Sequence, residues 1–162
     1  VADLQQKVAE IEQKVLISSL EGRISSAPAV NFDASASNSS SILWVDDYPS
    51  NNAFLIDKFQ RGGVDVTVAL STEDALKHFS NRNFSVVITD LGRREAGVEK
   101  KFAGLELIQR LRSINAKLPI LVFAGERGLQ NRDKLIAAGA SDVTASGSDL
   151  ISFVEQHASV GI

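Results

Sequence analysis

From residue 42 onward, short runs of apolar residues alternate with stretches in which apolar residues recur every three or four positions. The runs are typical of buried parallel strands, and the stretches are typical of amphipathic helices. We predict strands at residues 42–46, 64–69, 84–90, 119–124 and 142–145. Helices are predicted to follow them at residues 50–61, 72–80, 102–115, 129–138 and 148–157.

Five strand–helix units in succession predict an α/β domain over residues 42–158, with helices on both faces of a parallel sheet. The expected architecture is a flavodoxin-like (βα)5 doubly wound fold with strand order 2-1-3-4-5. Local signals agree with the boundaries, because Ser71 or Thr72 with Glu73 can cap a helix and Gly139 can end one.

The first 24 residues have a different pattern, in which apolar side chains follow the a/d spacing of a coiled coil. These side chains are Val1, Leu4, Val8, Ile11 and Val15. We expect residues 1–24 to form an amphipathic, coiled-coil-like helix that either pairs two copies as a homodimer or folds back on its own domain. Residues 25–41 are rich in Ser, Ala and Asn and contain Pro28, which predicts a flexible linker.

Composition excludes several classes of function. A net charge of −3 gives no electrostatic footprint for nucleic acid, and no apolar run approaches the roughly 20 residues of a spanning helix. We therefore expect no nucleic-acid partner and no direct membrane contact in this chain. The absence of cysteine excludes thiolate chemistry and suits the cytoplasm. No phosphate-binding glycine pattern or catalytic base is evident, so we do not expect an enzyme.

Acidic residues follow two strands that are neighbours in the predicted order. Asp46 and Asp47 end the first strand, and Asp90 ends the third. Two carboxylates about 4 Å apart at an effective dielectric near 20 repel by roughly 4 kcal/mol, so such a corner favours a hard cation such as Mg²⁺. The alternative is that Asp46 and Asp47 cap a helix that starts near Pro49.

Four segments together resemble the framework of response-regulator receiver domains: "ILWVDD" at 42–47, "VVITDLG" at 86–92, "LPILVFAG" at 118–125 and "AAGASDVTAS" at 137–146. The resemblance covers roughly residues 41–157. It implies that Asp46 and Asp47 hold Mg²⁺ and that the backbone carbonyl of Gly92 is a further ligand. It also implies that Asp90 accepts a phosphoryl group from a histidine kinase or another donor in a two-component phosphorelay.

The sequence departs from the family pattern at three positions. Ala124 replaces the Ser or Thr at the end of strand four, Ser146 replaces the Lys at the end of strand five, and Val143 replaces the strand-five aromatic residue. We therefore expect an atypical or phosphorylation-independent switch.

The segment after Asp90 is longer and more charged than an ordinary strand–helix loop. We hypothesise that Arg93 or Arg94 supplies the missing cation as a bidentate partner of Asp90 or of a bound anion. The alternative is a solvated charged loop in which these arginines mix with Glu95 and Glu99.

Two functions remain open at this stage. The first is a signalling module of the two-component type that binds Mg²⁺ and has Asp90 as a candidate phosphoacceptor. The second is a non-phosphorylated scaffold or protein-interaction domain with the same core.

Overall fold

The structure is a computed structural model that describes residues 40–158. The expected pairing helix at residues 1–24 lies outside the described residues, as does the expected linker up to residue 39, and both stay predictions. Ser41 already belongs to the first strand.

Five strands form one parallel sheet: β1 (Ser41–Val45), β2 (Asp65–Ala69), β3 (Val86–Thr89), β6 (Ile120–Phe123) and β7 (Asp142–Thr144). Their order is β2-β1-β3-β6-β7, and every neighbouring pair is parallel. This is the predicted order once the five strands are counted by themselves, so the doubly wound flavodoxin-like fold is confirmed.

Helices connect the strands: α1 (Ala53–Arg61), α2 (Thr72–Asn81), α3 (Ala103–Ile114), α4 (Glu126–Gln130), α5 (Arg132–Ala138) and α6 (Gly147–His157). A 3-10 turn (Pro49–Asn52) precedes α1, where an α-helix was predicted from residue 50. The predicted helix at 129–138 starts earlier and is divided at Asn131, whose side-chain amide donates to the Arg127 carbonyl at 2.8 Å and so satisfies the end of α4.

The helix ends follow the predicted signals. Ser71 Oγ accepts a hydrogen bond from the Asp74 backbone N–H at 3.0 Å, which caps α2. Gly139 ends α5 with φ +124°, and a Cβ at this position would lie 2.4 Å from Arg112 Cγ. Both the positive φ and the lack of space therefore require glycine here.

The core has two layers, one on each face of the sheet, which is why the strands are continuous apolar runs. On one face, strand residues such as Leu43 and Val87 pack with α2, α3 and α5. On the other face, Trp44 and Ile88 pack with α1 and α6. Trp44 is 1% exposed, and its ring centroid lies 6.4 Å from that of Phe59.

The long segment after Asp90 forms an antiparallel hairpin, β4 (Arg93–Glu95) with β5 (Val98–Lys100), which the sequence analysis did not predict. Its two-residue turn has positive φ at Ala96 (53°) and Gly97 (78°). Positive φ at both central residues is the geometry that matches the twist of a tight hairpin. Three-residue strands of mostly charged side chains lack the apolar alternation by which strands are predicted.

Candidate metal centre

Three carboxylates converge at the carboxyl ends of β1 and β3. Val45 and Thr89, the last residues of these strands, are paired in the sheet, so the residues that follow them are brought side by side. Asp46, Asp47 and Asp90 each offer a carboxylate oxygen, and these three oxygens lie within 4.8 Å of one another. Hard carboxylate oxygens at this spacing fit a divalent cation such as Mg²⁺.

The first two carboxylates are oriented by hydrogen bonds from the surrounding chain. Asp46 accepts from the Tyr48 backbone N–H at 2.8 Å and from the Asn52 side-chain amide at 2.9 Å. Asp47 accepts from the Arg94 backbone N–H at 2.9 Å. The alternative that the acidic pair caps a helix is wrong, because the N-cap residues of the 3-10 turn and of α1 are Tyr48 and Asn52.

The proximity of these groups makes their negative charge unfavourable. Burial raises the pKa of Asp90 to about 8, with Asp46 and Asp47 adding to the rise and Arg93 opposing it. Burial also raises the pKa of Asp46, and the neighbouring Asp47 adds to the effect while a hydrogen bond from Tyr48 opposes it. A cation placed among the three carboxylates would relieve this cost.

One permanent cation already lies at this corner. The side chain of Arg93 is 0% exposed, and its Nη1 donates to Asp90 Oδ1 at 2.5 Å and to Thr89 Oγ1 at 2.9 Å. Of the two arginines in the hypothesis, the structure brings Arg93 to Asp90. Arg94 is directed elsewhere, since its side chain is 64% exposed and lies 3.7 Å from Glu99. The expected bidentate geometry is wrong, because a single Arg93 nitrogen contacts Asp90.

The remaining nitrogens of Arg93 donate to two buried residues for which the sequence analysis predicted no role at this site. Nη2 donates to Thr72 Oγ1 at 2.7 Å, and Nε donates to Glu95 Oε2 at 2.8 Å. The same Glu95 oxygen accepts from the Thr72 backbone N–H at 2.7 Å and from the Thr72 hydroxyl at 3.0 Å. The alternative of a solvated loop is therefore wrong for Arg93 and Glu95. Their i, i+2 spacing, which places strand residues on one face, was the available signal.

The electrostatics of Glu95 differ from those of Asp90. Burial works against the charged form of Glu95, but the hydrogen bonds from Arg93 and Thr72 outweigh it and lower its pKa to about 2. Glu95 is consequently ionised at neutral pH, and it accepts from Nε of Arg93 while Asp90 accepts from Nη1.

Close backbone approaches shape the same corner. The Gly104 N–H donates to the Leu91 carbonyl at 2.7 Å, and a Cβ on Gly104 would lie 2.1 Å from the Asp90 carbonyl oxygen. The first turn of α3 can reach Asp90 only with glycine there, a requirement that the sequence analysis missed. Gly92 is also crowded, with its Cβ position 3.4 Å from Arg127 Nη1. The role of its carbonyl as a metal ligand stays a prediction.

The three departing positions have structural roles instead. Ser146 Oγ accepts from the Asp149 backbone N–H at 3.3 Å and so caps α6. Val143 is buried in the core. Ala124 allows α4 to approach, because a Cβ on Gly128 would already lie 2.6 Å from the Ala124 Cβ.

Within residues 40–158, no helix has the length and apolar character needed to cross a bilayer.

The strand order of the parallel sheet and the position of the acidic corner are those expected of a receiver domain. Residues 42–150 match the family described as the response regulator receiver domain. This match covers more than half of the chain, and the chain belongs to that family.

One curated protein is similar to this chain in sequence, and two solved structures are similar to it in fold. Sensor protein EvgS from Escherichia coli K12 is 30% identical over 99 residues, which is 61% of this chain and 8% of that protein. Chemotaxis response regulator CheY4 of Vibrio cholerae superposes with a TM-score of 0.60 at 22% identity, covering 73% of this chain and 98% of that one. Response regulator protein TrrA of Thermotoga maritima, solved in complex with Mg(2+)-BeF, gives a TM-score of 0.60 at 24% identity, with coverages of 72% and 97%.

Proposed function

We propose that this receiver domain binds Mg²⁺ among Asp46, Asp47 and Asp90 and accepts a phosphoryl group on Asp90. The observation that supports the proposal most directly is the convergence of three carboxylate oxygens within 4.8 Å at the carboxyl ends of adjacent strands. A structural relative has been solved with Mg²⁺ and beryllium fluoride, and the family assignment makes the same chemistry a reasonable expectation here.

The transfer is a substitution at phosphorus. A carboxylate oxygen of Asp90 forms the new O–P bond while the P–N bond to the histidine of a donor protein breaks, and the imidazole nitrogen keeps the electron pair and later takes a proton. A bound Mg²⁺ supplies charge neutralisation for the phosphoryl oxygens. The chain itself is the group modified, so we propose a signalling module whose partner is a histidine kinase or another phosphodonor protein, and not an enzyme with a separate substrate.

Arg93 takes the place of the missing strand-five lysine in this proposal. Its Nη1 donates to Asp90 Oδ1 at 2.5 Å, so Oδ2 is the oxygen that attacks phosphorus. The guanidinium places a positive charge beside the Asp90 carboxyl group. Hydrogen bonds from Arg93 to Thr72 and Glu95 position it before any ligand arrives.

A second candidate is a protein-interaction domain that is never phosphorylated. The pairing of Asp90 with Arg93 favours it, because an acceptor that already has a cation needs a metal less. The absence of a hydroxyl at Ala124 favours it as well. The cytoplasmic location and the homodimer through residues 1–24 stay predictions under either candidate.

An NMR titration with MgCl2, followed by beryllium fluoride, tests the proposal. We expect Mg²⁺ to shift the amide signals of Asp46, Asp90 and Gly92, and beryllium fluoride to shift Asp90 further. Asp90→Asn should abolish the second response. Asp57→Asn, at an exposed position of α1 paired with Arg61, is the matched control and should leave both responses intact. Shifts with Mg²⁺ alone would favour the second candidate, and no shift at either step would overturn the proposal.

A further inference from the structure

We propose that Arg93 transmits the chemical state of Asp90 to the β4–β5 hairpin and to the first turn of α2, so that these two segments form the output surface of the domain. This inference rests on the proposed function for its physiological trigger. The coupling itself is a property of the described residues and can be tested without any ligand.

One buried guanidinium connects three segments of the domain. Arg93 donates to Thr89 and Asp90 at the end of β3, to Thr72 at the start of α2, and to Glu95 within β4. A guanidinium is planar and rigid, so a displacement at Nη1 is accompanied by a displacement at Nη2 and Nε. A change at Asp90 therefore reaches α2 and β4 through a single side chain.

Polar contacts attach the hairpin to the domain. β4 has two buried side chains, Arg93 and Glu95, and both are charged. Its next contact with the acidic corner is the hydrogen bond from the Arg94 backbone N–H to Asp47. All of β5 is exposed, and Val98 is 56% exposed. The position of β4 consequently depends on polar contacts with the groups whose charge changes at this corner.

A ligand at Asp90 would compete for these contacts. A divalent cation among the three carboxylates competes with Arg93 for Asp90 and with the Arg94 N–H for Asp47. A phosphoryl group adds acceptor oxygens that compete with Thr72 and Glu95 for the guanidinium. Glu95 is held by two hydrogen bonds from Thr72, so any movement of Arg93 is resisted by, and passed to, the start of α2.

The three positions at which the sequence departs from the family pattern have other roles in the fold. Ser146 caps α6, Val143 is core, and Ala124 has no polar atom in its side chain. The face that responds should instead present Arg94, Val98, Glu99 and Lys100 of the hairpin, together with Glu73 of α2. A protein partner for this face would offer both charges around a small apolar contact, because the exposed side chains have this composition.

Hydrogen exchange measured by mass spectrometry on the full chain tests the coupling. Asp90→Asn removes the carboxylate with which Arg93 pairs while keeping the shape of the side chain and one acceptor oxygen. We expect amide exchange at residues 92–101 and 71–75 to rise at least fivefold, with peptides of α6 unchanged. Asp57→Asn should match the wild type throughout. Equal exchange of the hairpin in Asp90→Asn and wild type would overturn the inference.

A second arm separates this inference from the proposed function. With Mg²⁺ and beryllium fluoride, the wild type should change exchange at 92–101 and 71–75, and Thr72→Val should lose the change at 71–75 while keeping it in the hairpin. If the ligand shifts the NMR signal of the Asp90 amide while amide exchange in both segments stays unchanged, the coupling is wrong and the proposed function stands. If the ligand does not bind at all, the proposed function is wrong, and the Asp90→Asn comparison alone decides the coupling.

Discussion

Replacing Arg93 by methionine should destabilise the domain by several times more than replacing its exposed neighbour Arg94. Methionine keeps the unbranched shape of the arginine stem but removes the charge and all of the N–H donors. The side chain is 0% exposed, so water cannot replace the lost donors without opening the fold. Asp90, Glu95 and the Thr72 hydroxyl all lose a partner.

The size of the effect follows from the two carboxylates separately. Asp90 contributes little to the cost at neutral pH, because its pKa of about 8 means that the carboxyl group is already largely protonated there. Glu95 loses more, because its pKa of about 2 against an ordinary value of 4.5 corresponds to about 3 kcal/mol of stabilisation that Arg93 and Thr72 supply together. Removing one partner of a buried ion pair usually costs roughly 3–5 kcal/mol. We therefore expect Arg93→Met to lower the free energy of unfolding by about 3 kcal/mol.

Urea unfolding followed by the fluorescence of Trp44, the only tryptophan, measures this change directly. Arg94→Met is the matched control, because the neighbouring arginine is 64% exposed and its ion pair with Glu99 is 3.7 Å long. An exposed pair of that kind contributes roughly 0–1 kcal/mol. Adding MgCl2 should restore part of the stability of Arg93→Met, because a bound cation replaces the lost positive charge beside Asp90.

Two results would refute this reasoning. If Arg93→Met and Arg94→Met are destabilised equally, the buried position of Arg93 contributes nothing that an exposed arginine does not. If Mg²⁺ stabilises Arg93→Met no more than it stabilises the wild type, Arg93 and the metal do not act on the same carboxylate.

Three further predictions concern pH and packing. Glu95→Gln should lower the free energy of unfolding by about 3 kcal/mol near pH 7, and this loss should vanish as the pH falls from about 4.5 towards 2, because the depressed pKa of Glu95 stabilises the fold only while the carboxylate is ionised. A difference in the free energy of unfolding between the variant and the wild type that stays constant over this pH range, measured by denaturant unfolding, would contradict it. The affinity for Mg²⁺, measured by calorimetry, should rise as the pH is raised towards about 8, because a proton on Asp90 competes with the metal. Asp90→Asn, which has no carboxyl group to titrate at this position, should show a weaker dependence of the affinity on pH. Gly104→Ala should lower the free energy of unfolding by roughly 1–3 kcal/mol and weaken Mg²⁺ binding, because the added Cβ would clash with the Asp90 carbonyl. Gly125→Ala is the control and should leave the affinity for Mg²⁺ unchanged, because a Cβ there has no atom within 4 Å.

The frame of the domain and the place of the acidic corner follow from the sequence alone. Strands buried on both faces must be apolar along their whole length, so their number and their positions along the chain are visible as runs separated by amphipathic helices. Residues that directly follow such runs lie at the carboxyl edge of the sheet, which is why the sequence predicts that Asp46 and Asp90 are close together.

Only the tertiary structure decided how that corner is completed. Four cationic side chains follow Asp90 within 11 residues, and composition does not distinguish them. The hairpin turns Arg93 inward and Arg94 outward, and the start of α2 supplies Thr72 from a distant part of the sequence. Polar contacts of this kind depend on direction and distance, which no spacing rule specifies, whereas apolar burial depends on little more than periodicity.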